Sequence, residues 1–298
     1  MTWLVTGGAG FIGSHLCEAL LASGDVRVLD DLSTGKRENL PPGVQLIVGD
    51  VADPTVVREA MEGVSGCFHL AAIPSVERGV TDWLGTHRAN LTGAIAVFDA
   101  ARAARTPVVY ASSAAVYGDT HRDPISERTE CRPLSAYGAD KLGCELHAHV
   151  ATHVHGIPTV GLRFFNVYGP RQDPHSPYSG VISIFCERIR RGEPVVIFGD
   201  GRQTRDFIYV TDVVAALVAA THFLDAGVVN VCTGQATSII DLAELIAELV
   251  GTPLLVQPAA ARRGDIRRST GSPHMGRLML NLPLPISLRD GLSKLLGT

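Results

Sequence analysis

Short apolar runs alternate with amphipathic stretches through the first two thirds of the chain. Seven runs rich in β-branched residues predict strands, at residues 2–6, 26–30, 44–50, 66–72, 107–112, 158–164 and 228–232. Several runs are apolar at consecutive positions, as is typical of a parallel sheet covered on both faces. Amphipathic segments between them, such as residues 14–24, predict helices. This alternation predicts an α/β fold with a doubly wound parallel sheet of the Rossmann type.

The pattern changes after Asn166, where a Pro/Gly-rich loop begins. Residues 238–251 then predict one clear helix, and a Pro-rich tail follows it. We therefore expect two parts, each formed from two separate segments of the chain. The sheet domain takes residues 1–165 and 210–232, and a smaller, mixed α/β substrate lobe takes residues 166–209 and 233–298.

Composition and charge narrow the classes of function. The 298 residues are 46% hydrophobic, and a formal net charge of -4 gives no reason to expect a nucleic-acid partner. The chain shows no basic leader and no membrane-spanning apolar run, so we expect no membrane association. Six scattered cysteines without a C-x-x-C pair predict reduced thiols and a cytoplasmic protein.

Three glycines separate the first predicted strand from the first predicted helix. Gly7, Gly10 and Gly13 have the spacing G-x-x-G-x-x-G. Glycines there let backbone N–H groups and the positive helix end approach a pyrophosphate closely. Because this cluster directly follows a strand and precedes a helix, it predicts a dinucleotide site.

Acidic residues at strand ends indicate which dinucleotide binds. Asp30, at the end of the second strand, can accept hydrogen bonds from ribose hydroxyls and would repel a 2′-phosphate, which favours NAD over NADP. Lys36 and Arg37 lie nearby and leave NADP open as an alternative. Asp50 follows the third strand and is placed for the adenine edge.

Tyr137 and Lys141 stand four residues apart where a helix begins, so their side chains share one face. From the residues alone, the pair is either an exposed helical surface or an activated acid–base pair. A tyrosine of ordinary pKa, near ~10, is a poor base at neutral pH unless nearby positive charge favours its phenolate.

Eight motifs occur in an order that resembles one family. They are TGGAGFIG, LDDLSTG, HLAA, SSAAVYG, YGADK, RFFNVYGPRQDP, GDGRQTRDFIYVTDV and RRGD. Together they resemble the extended short-chain dehydrogenase/reductase family, and within it the nucleotide-sugar 4-epimerases of the UDP-galactose 4-epimerase type. The resemblance covers nearly the whole chain.

The resemblance implies a catalytic set of Ser113, Tyr137 and Lys141. Tyr137 would take the proton of the sugar 4-hydroxyl while the C4 hydride passes to NAD⁺, and the 4-keto sugar would receive it back on the opposite face. Ser113 would bind the same sugar oxygen, and Lys141 would hold the nicotinamide ribose. Asn90 would position the lysine.

The resemblance also implies the residues around each ligand. The cofactor set is Gly7, Gly10, Phe11, Ile12, Gly13, Asp30, Asp31, Ser33, Thr34, Gly35, Asp50, Val51, Leu70, Ala71, Ala72, Asn90, Tyr137, Lys141 and Phe164. The substrate set is Ser75, Ser113, Tyr137, Asn166, Val181, Arg205, Arg262, Asp265 and Ser269. In this set Arg205 and Arg262 would bind the diphosphate of a UDP-sugar with planar guanidinium groups.

Several positions indicate the reaction and the sugar. Ala114 and Ala115 replace the acids that dehydratases and decarboxylases of the family carry, so bare hydride chemistry at C4 is expected. Ser269 would leave room for an N-acetyl group, and Asp173 would repel a uronate carboxylate. We therefore expect C4 epimerisation of UDP-glucose and UDP-galactose, with UDP-GlcNAc and UDP-GalNAc as further candidates.

Three alternatives stay open. The first is an oxidoreductase of the same fold, such as a 4-ketoreductase, which consumes its cofactor. The second is a UDP-glucuronate 4-epimerase. The third is a dinucleotide-sensing regulator, against which the intact Ser113, Tyr137 and Lys141 argue.

One predicted helix is rich in histidine, at residues 147, 149, 153 and 155. His149 and His153 could chelate a metal, but no carboxylate or cysteine completes a set in sequence, so we expect a polar helical face and no metal. The resemblance implies a homodimer formed through helices within residues 90–104 and 142–154.

Overall fold

The structure is a computed structural model that describes residues 1–174, 180–223, 227–261 and 265–298. Its strands are β1 (Thr2–Thr6), β2 (Asp25–Asp30), β3 (Gln45–Val48), β4 (Gly66–His69), β5 (Val108–Ser113), β6 (Thr159–Phe164), β7 (Asn166–Tyr168), β8 (Val195–Phe198), β9 (Thr204–Arg205), β10 (Phe207–Tyr209), β11 (Gly227–Val231), β12 (Thr237–Ser238) and β13 (Val256–Ala259). Its α-helices are α1 (Phe11–Leu20), α2 (Pro54–Met61), α3 (Val76–Thr81), α4 (Trp83–His87), α5 (Gly93–Ala101), α6 (Ala136–His155), α7 (Val181–Arg190), α8 (Val210–Ala220), α9 (Ile239–Val250), α10 (His274–Met279) and α11 (Leu288–Leu296). A π-helical segment, Arg88–Thr92, joins α4 to α5.

The seven predicted strands form one sheet in the order β3-β2-β1-β4-β5-β6-β11, and every pair in it is parallel. The predicted α/β fold with a doubly wound Rossmann sheet is confirmed. The strand order reverses between β1 and β4, so a crevice opens beyond the carboxyl ends of these two strands. The glycine-rich loop after β1 lies at this crevice.

Two strands end two or three residues earlier than the sequence predicts. β3 ends at Val48 and β4 at His69, whereas the apolar runs continue to residues 50 and 72. Beyond each end, backbone N–H groups still donate to the neighbouring strand. Gly49 N donates to the carbonyl of Asp30 at 3.1 Å, and Ala71 N donates to the Thr6 hydroxyl at 3.3 Å.

Apolar side chains cover both faces of the sheet because adjacent strand residues point to opposite sides. Val5 packs with residues of α1 and α8, including Leu16 and Leu217. Leu4, its neighbour in β1, packs into a second cluster with residues of α2, α5 and α6, including Val97. All five of these side chains are fully buried, so the sheet is the centre of a three-layer domain.

Helix α1 begins three residues earlier than predicted. Gly10 is its N-cap in an extended conformation, and the helix runs from Phe11 to Leu20. Leu21, inside the predicted segment 14–24, is the residue after the last turn and is only half buried. The glycine-rich loop therefore supplies the first turn of the helix itself.

The second lobe is built from short strand pairs and helices. β7 pairs with β10 and β8 with β13, both in parallel, and β9 pairs with β12 in antiparallel fashion. Residues of α7, α9 and α11, such as Phe185, Leu242 and Leu292, share a buried cluster there. The predicted helix at 238–251 is α9, flanked by Ser238 as N-cap and by Gly251 in the left-handed conformation.

The tail also carries α10 and α11, which the sequence did not predict. The chain returns to the large sheet with α8 and with β11, which pairs with β6. The division into 1–165 plus 210–232 and 166–209 plus 233–298 stays a prediction. No helix within the described ranges has the length and apolar character needed to cross a bilayer.

Candidate functional site

The glycine-rich loop packs so closely on neighbouring backbone that side chains at two of its glycines would collide with it. Gly7 has φ +71°, and a Cβ there would lie 2.7 Å from the backbone nitrogen of Ala71. A Cβ on Gly13 would lie 2.2 Å from the carbonyl oxygen of Gly7. Gly10, the N-cap of α1, provides no side chain to the first-turn N–H groups. The loop thus offers backbone donors and a positive helix end, which fits a dinucleotide pyrophosphate.

Asp30 lies at the end of β2 directly beside this loop. Its carboxylate accepts hydrogen bonds from Ala9 N and Leu32 N, each at 2.9 Å, and the residue is 7% exposed. Burial raises the pKa of Asp30, and the two backbone donors oppose that rise. Asp31 accepts from the backbone and hydroxyl of Ser33 at 2.9 and 2.6 Å. The acid predicted for the ribose therefore also fixes the loop around it.

Asp50 follows β3 and forms an ion pair with Arg88, on the π-helical segment. Its other oxygen accepts from Ala52 N at 2.8 Å. Val51, beside it, is 8% exposed and packs over Gly93. No local pattern indicates Arg88, because its partner lies 38 positions earlier in the chain.

Asn90 anchors the chain at Ile73. It is fully buried, and its side-chain amide accepts from Ile73 N at 2.7 Å and donates to Ile73 O at 3.2 Å. Lys141 Nζ donates to the Ala111 carbonyl at 2.9 Å, and the role of Asn90 in positioning the lysine stays a prediction. Asn90 anchors the segment that follows the predicted cofactor residues 70–72.

The remaining predicted cofactor residues lie around the same crevice. They are Phe11 and Ile12 on α1, Thr34 and Gly35 in the loop after β2, Leu70 and Ala72 after β4, and Phe164 at the end of β6. A Cβ on Gly35 would meet the Asp30 carboxylate at 2.8 Å.

Tyr137 and Lys141 lie on the first turns of α6, which Ser135 caps by accepting from Gly138 N at 3.1 Å. Lys141 is 1% exposed, and its ammonium lies 5.8 Å from the centre of the Tyr137 ring. Its hydrogen bond to Ala111 anchors the ammonium to β5. A buried cation is thus held beneath a half-buried phenol, as an acid–base pair requires.

Ser113 ends β5 and lies close to α6, because Gly138 on that helix has no side chain. A Cβ on Gly138 would lie 2.6 Å from the carbonyl oxygen of Ala115, so the helix packs directly on the turn after Ser113. The Ser113 hydroxyl accepts from Ala115 N at 3.1 Å. Ala114 and Ala115 add no acidic group to this turn.

The predicted substrate residues are distributed over the second lobe and the crevice edge. Arg205 on β9 pairs with Asp265 at 2.6 Å and also donates to the carbonyls of Thr204 and Ile266 at 2.8 Å. Arg262 lies outside the described residues. Asn166 is exposed on β7, Val181 begins α7, and Ser269 is half buried near Asp265 in the chain.

Ser75 is less available than predicted. It is 5% exposed, and its hydroxyl caps α3 by accepting from Arg78 N at 2.9 Å. Its hydroxyl hydrogen is the part that a sugar oxygen could still use.

Two acids of the second lobe, Asp206 and Asp173, are held by partners that lie far away in the sequence. Asp206 is fully buried and accepts from the backbone of Thr233, Gly234 and Gly271, at 2.8, 2.8 and 3.2 Å. Burial raises the pKa of Asp206, and these bonds oppose the rise. Asp173 is hydrogen-bonded to Lys36 at 2.9 Å, and the repulsion of a uronate by Asp173 stays a prediction.

The histidine-rich end of α6 shows one close pair. The rings of His149 and His153 stack with centroids 4.0 Å apart, and His153 Nδ1 lies 2.9 Å from the His149 carbonyl oxygen. Within the described ranges, no three His, Cys, Asp or Glu side chains are grouped so as to hold a metal.

A family model and similar proteins of known name both match this chain. Residues 3–232 match the model of the NAD dependent epimerase/dehydratase family. A protein of Mycolicibacterium smegmatis named UDP-glucose 4-epimerase is 38% identical over 304 aligned residues, which cover 99% of this chain and 97% of that protein.

Two solved structures have the same architecture. A UDP-glucose 4-epimerase of Thermotoga maritima with UDP-glucose superposes with a TM-score of 0.97 and 34% identity, covering 100% of this chain and 98% of that one. A UDP-glucose 4-epimerase of Thermus thermophilus in complex with NAD gives 0.93 and 38%, with the same coverage. With the glycine-rich loop, the Rossmann sheet and the Tyr137–Lys141 helix in place, these matches show that the chain belongs to the NAD dependent epimerase/dehydratase family.

Proposed function

We propose that the protein is an NAD-dependent 4-epimerase that interconverts UDP-glucose and UDP-galactose through a 4-keto sugar. The observation that carries this proposal is the arrangement of Lys141, buried and bonded to Ala111, under Tyr137 on the helix that packs against the turn after Ser113. The similarity to UDP-glucose 4-epimerases over 97–98% of their lengths supports it.

The residues of the chain perform the proton transfer. Tyr137 removes the proton of the 4-hydroxyl and returns it when the sugar is reduced again. Ser113 donates to the same oxygen and orients it. Lys141 stabilises the phenolate through its fixed positive charge. Bound NAD⁺ supplies a reversible hydride acceptor at C4.

The cofactor is held by backbone donors and by acids at the strand ends. The loop from Gly7 to Gly13 binds the pyrophosphate, and Asp30 accepts from the adenosine ribose, which excludes a 2′-phosphate by charge. Asp50 and Val51 border the adenine. Phe164 and the segment 70–72 would also contact the dinucleotide.

The second lobe binds the UDP part of the substrate. Arg205 and Arg262 bind the diphosphate, while Asp265 keeps Arg205 oriented and reaches the nucleoside ribose. Asn166, Val181 and Ser75 complete the sugar site in this proposal. Ser269 is small enough to leave room for an N-acetyl group, which makes UDP-GlcNAc and UDP-GalNAc further substrates.

The assembly we propose is a homodimer through α5 and α6. Four large apolar side chains on these helices are exposed: Ile95 (38%), Leu146 (63%), Val150 (45%) and Val154 (70%). A second copy would remove this surface from water. We place the protein in the cytoplasm, because all six cysteines are unpaired and five of them are buried.

Product analysis tests the proposed reaction. The purified protein is incubated without added cofactor with UDP-glucose, UDP-GlcNAc or UDP-glucuronate, and the C4 epimers are separated by chromatography. We expect UDP-galactose from UDP-glucose. A 4-keto product that forms only with added NAD⁺, with one NADH released per sugar oxidised, would identify a net oxidoreductase, and exclusive use of UDP-glucuronate would identify the uronate epimerase.

A further inference from the structure

Residues 169–173 belong to the second lobe and contact the start of α1. They follow β7, and a Cβ on Gly169 would lie 2.5 Å from Val210 Cγ1 and 3.6 Å from Phe11 Cε2. The chain therefore runs directly over the aromatic ring that begins α1. Phe11 is also the residue next to the N-cap of the helix, where the pyrophosphate binds in our proposal.

Two polar contacts fasten this segment along α1. His15 Nε2 lies 3.0 Å from the Pro170 carbonyl oxygen, and Arg171 Nη2 donates to Glu18 Oε1 at 2.6 Å. Phe11, His15 and Glu18 have the spacing i, i+4, i+7, so they occupy one face of the helix. The segment thus lies across the outer face of the helix that carries the glycine-rich loop.

The far end of the segment reaches the loop after β2. Lys36 Nζ donates to Asp173 Oδ2 at 2.9 Å, across 137 positions of sequence. The backbone of Lys36 donates to the Ala9 carbonyl at 2.9 Å, so the glycine-rich loop is joined to the same residue. The side chains of Lys36 and Asp173 are 50% and 35% exposed, which places the ion pair where water can compete for it.

We propose that residues 169–173 form a retaining strap over the dinucleotide and that the Lys36–Asp173 ion pair closes it. The inference rests on the proposed function only in that NAD occupies the crevice between the glycine-rich loop and Asp30. The strap spans the elements assigned to the pyrophosphate and to the ribose. A dinucleotide leaves more slowly when the pair is formed, because the loop after β2 cannot move away from the second lobe.

The rate of NAD release tests the strap. The native protein is loaded with NAD, freed of excess by gel filtration, and diluted into alcohol dehydrogenase with ethanol, so that released NAD becomes fluorescent NADH. Asp173→Asn and Lys36→Met should each release NAD roughly 2- to 5-fold faster, the range expected for an exposed ion pair. The exchange Lys36→Asp with Asp173→Lys should return release to near the native rate.

Salt and a matched variant distinguish the strap from a general loosening of the fold. About 1 M salt should speed release from the native protein to the rate of the single variants and leave theirs unchanged. Glu248→Gln removes another exposed ion pair, with Arg289 at 2.9 Å, which joins α9 to α11 in the second lobe. This variant should release NAD at the native rate.

Two results would overturn the strap: unchanged release in both single variants, or equal acceleration by Glu248→Gln. Either result would leave the proposed function intact if UDP-glucose is still epimerised. A protein that takes up no NAD at all would overturn the proposed function together with the strap.

Discussion

The guanidinium of Arg163 binds both oxygens of the Glu145 carboxylate, at 2.8 and 2.6 Å, between β6 and α6. Ser112 donates its hydroxyl to the same carboxylate at 2.5 Å. Glu145 lies one turn after Lys141, and Ser112 directly precedes Ser113. The buried pair therefore ties the helix that carries Tyr137 to the strand that carries Ser113, the proposed catalytic hydroxyl.

Glu145→Gln should destabilise the protein strongly. The side chains of Arg163 and Glu145 are 5% and 8% exposed, so the variant leaves a buried guanidinium without its counter-ion. We expect a loss of about 3–5 kcal/mol in the free energy of unfolding, measured by urea titration with circular dichroism. Replacing both residues by methionine should cost less than the single change, and a loss below about 1 kcal/mol for Glu145→Gln would contradict this account.

The free energy of unfolding should decrease as the pH is lowered, because His69 is buried in its neutral form. This side chain is 1% exposed, its Nδ1 lies 2.8 Å from the Thr6 hydroxyl, and its Nε2 is buried without a hydrogen-bond partner in the described residues. Burial, and next the charge of Lys141, lower the pKa of His69 from 6.5 to about 3. At a pH between these two pKa values, His69 is therefore protonated in the unfolded chain and neutral in the folded protein.

Because the folded pKa is the lower one, the contribution is fully present above pH 6.5 and is lost as the pH falls. The expected loss is about 2–3 kcal/mol between roughly pH 6.5 and 4.5. Urea midpoints over this range measure it, and His69→Gln should flatten the slope by that amount. Parallel slopes for the two proteins would show that His69 does not titrate on unfolding.

Tyr137→Phe should abolish proton transfer and leave the cofactor bound. The ring of Tyr137 keeps its place over Lys141 in this variant, so only the phenolic oxygen is removed. We expect a fall in kcat of about 10²–10⁴-fold with the native amount of NAD retained after gel filtration. Ser113→Ala is the companion variant, with a smaller fall expected. Native turnover by Tyr137→Phe would remove Tyr137 from the mechanism.

Val150→Asp should separate the proposed dimer. Val150 lies on α6 between Leu146 and Val154, and a charge there opposes burial by a second copy. We expect the dissociation constant to rise at least about 10-fold, measured by light scattering at graded concentrations. Val256→Asp, at a similarly exposed valine (42%) on β13, should leave the mass unchanged. A native protein that is monomeric throughout would refute the interface.

The sheet could be predicted because its strands are apolar at consecutive positions, a pattern set by burial on both faces. The ends were less accurate, since Asp50 and Ala72 belong to runs that continue past the last sheet hydrogen bond. The glycine-rich loop and the Tyr137–Lys141 pair could be predicted from their spacing. The glycines allow the backbone to approach a ligand closely, and a separation of four residues places the pair on one helix face.

Other features depend on folding that no local pattern records. Lys36 and Asp173 lie 137 positions apart, and Arg88 meets Asp50 only after β3 and the π-helical segment are placed side by side. Glu145 gave a local signal, because it follows Lys141 by four residues and so shares its helix face. Its partner Arg163 lies inside an apolar strand, and no sequence pattern predicts that it pairs with Glu145.

The fate of a label at C4 tests the central claim most directly. UDP-glucose that carries deuterium at C4 is incubated with the protein in ordinary water without added cofactor, and the UDP-galactose formed is examined by mass spectrometry and NMR. A hydride that leaves and returns within one closed site predicts full retention of deuterium at C4 of the product. Loss of the label to water would contradict the account, because it would show that C4 exchanges a proton instead.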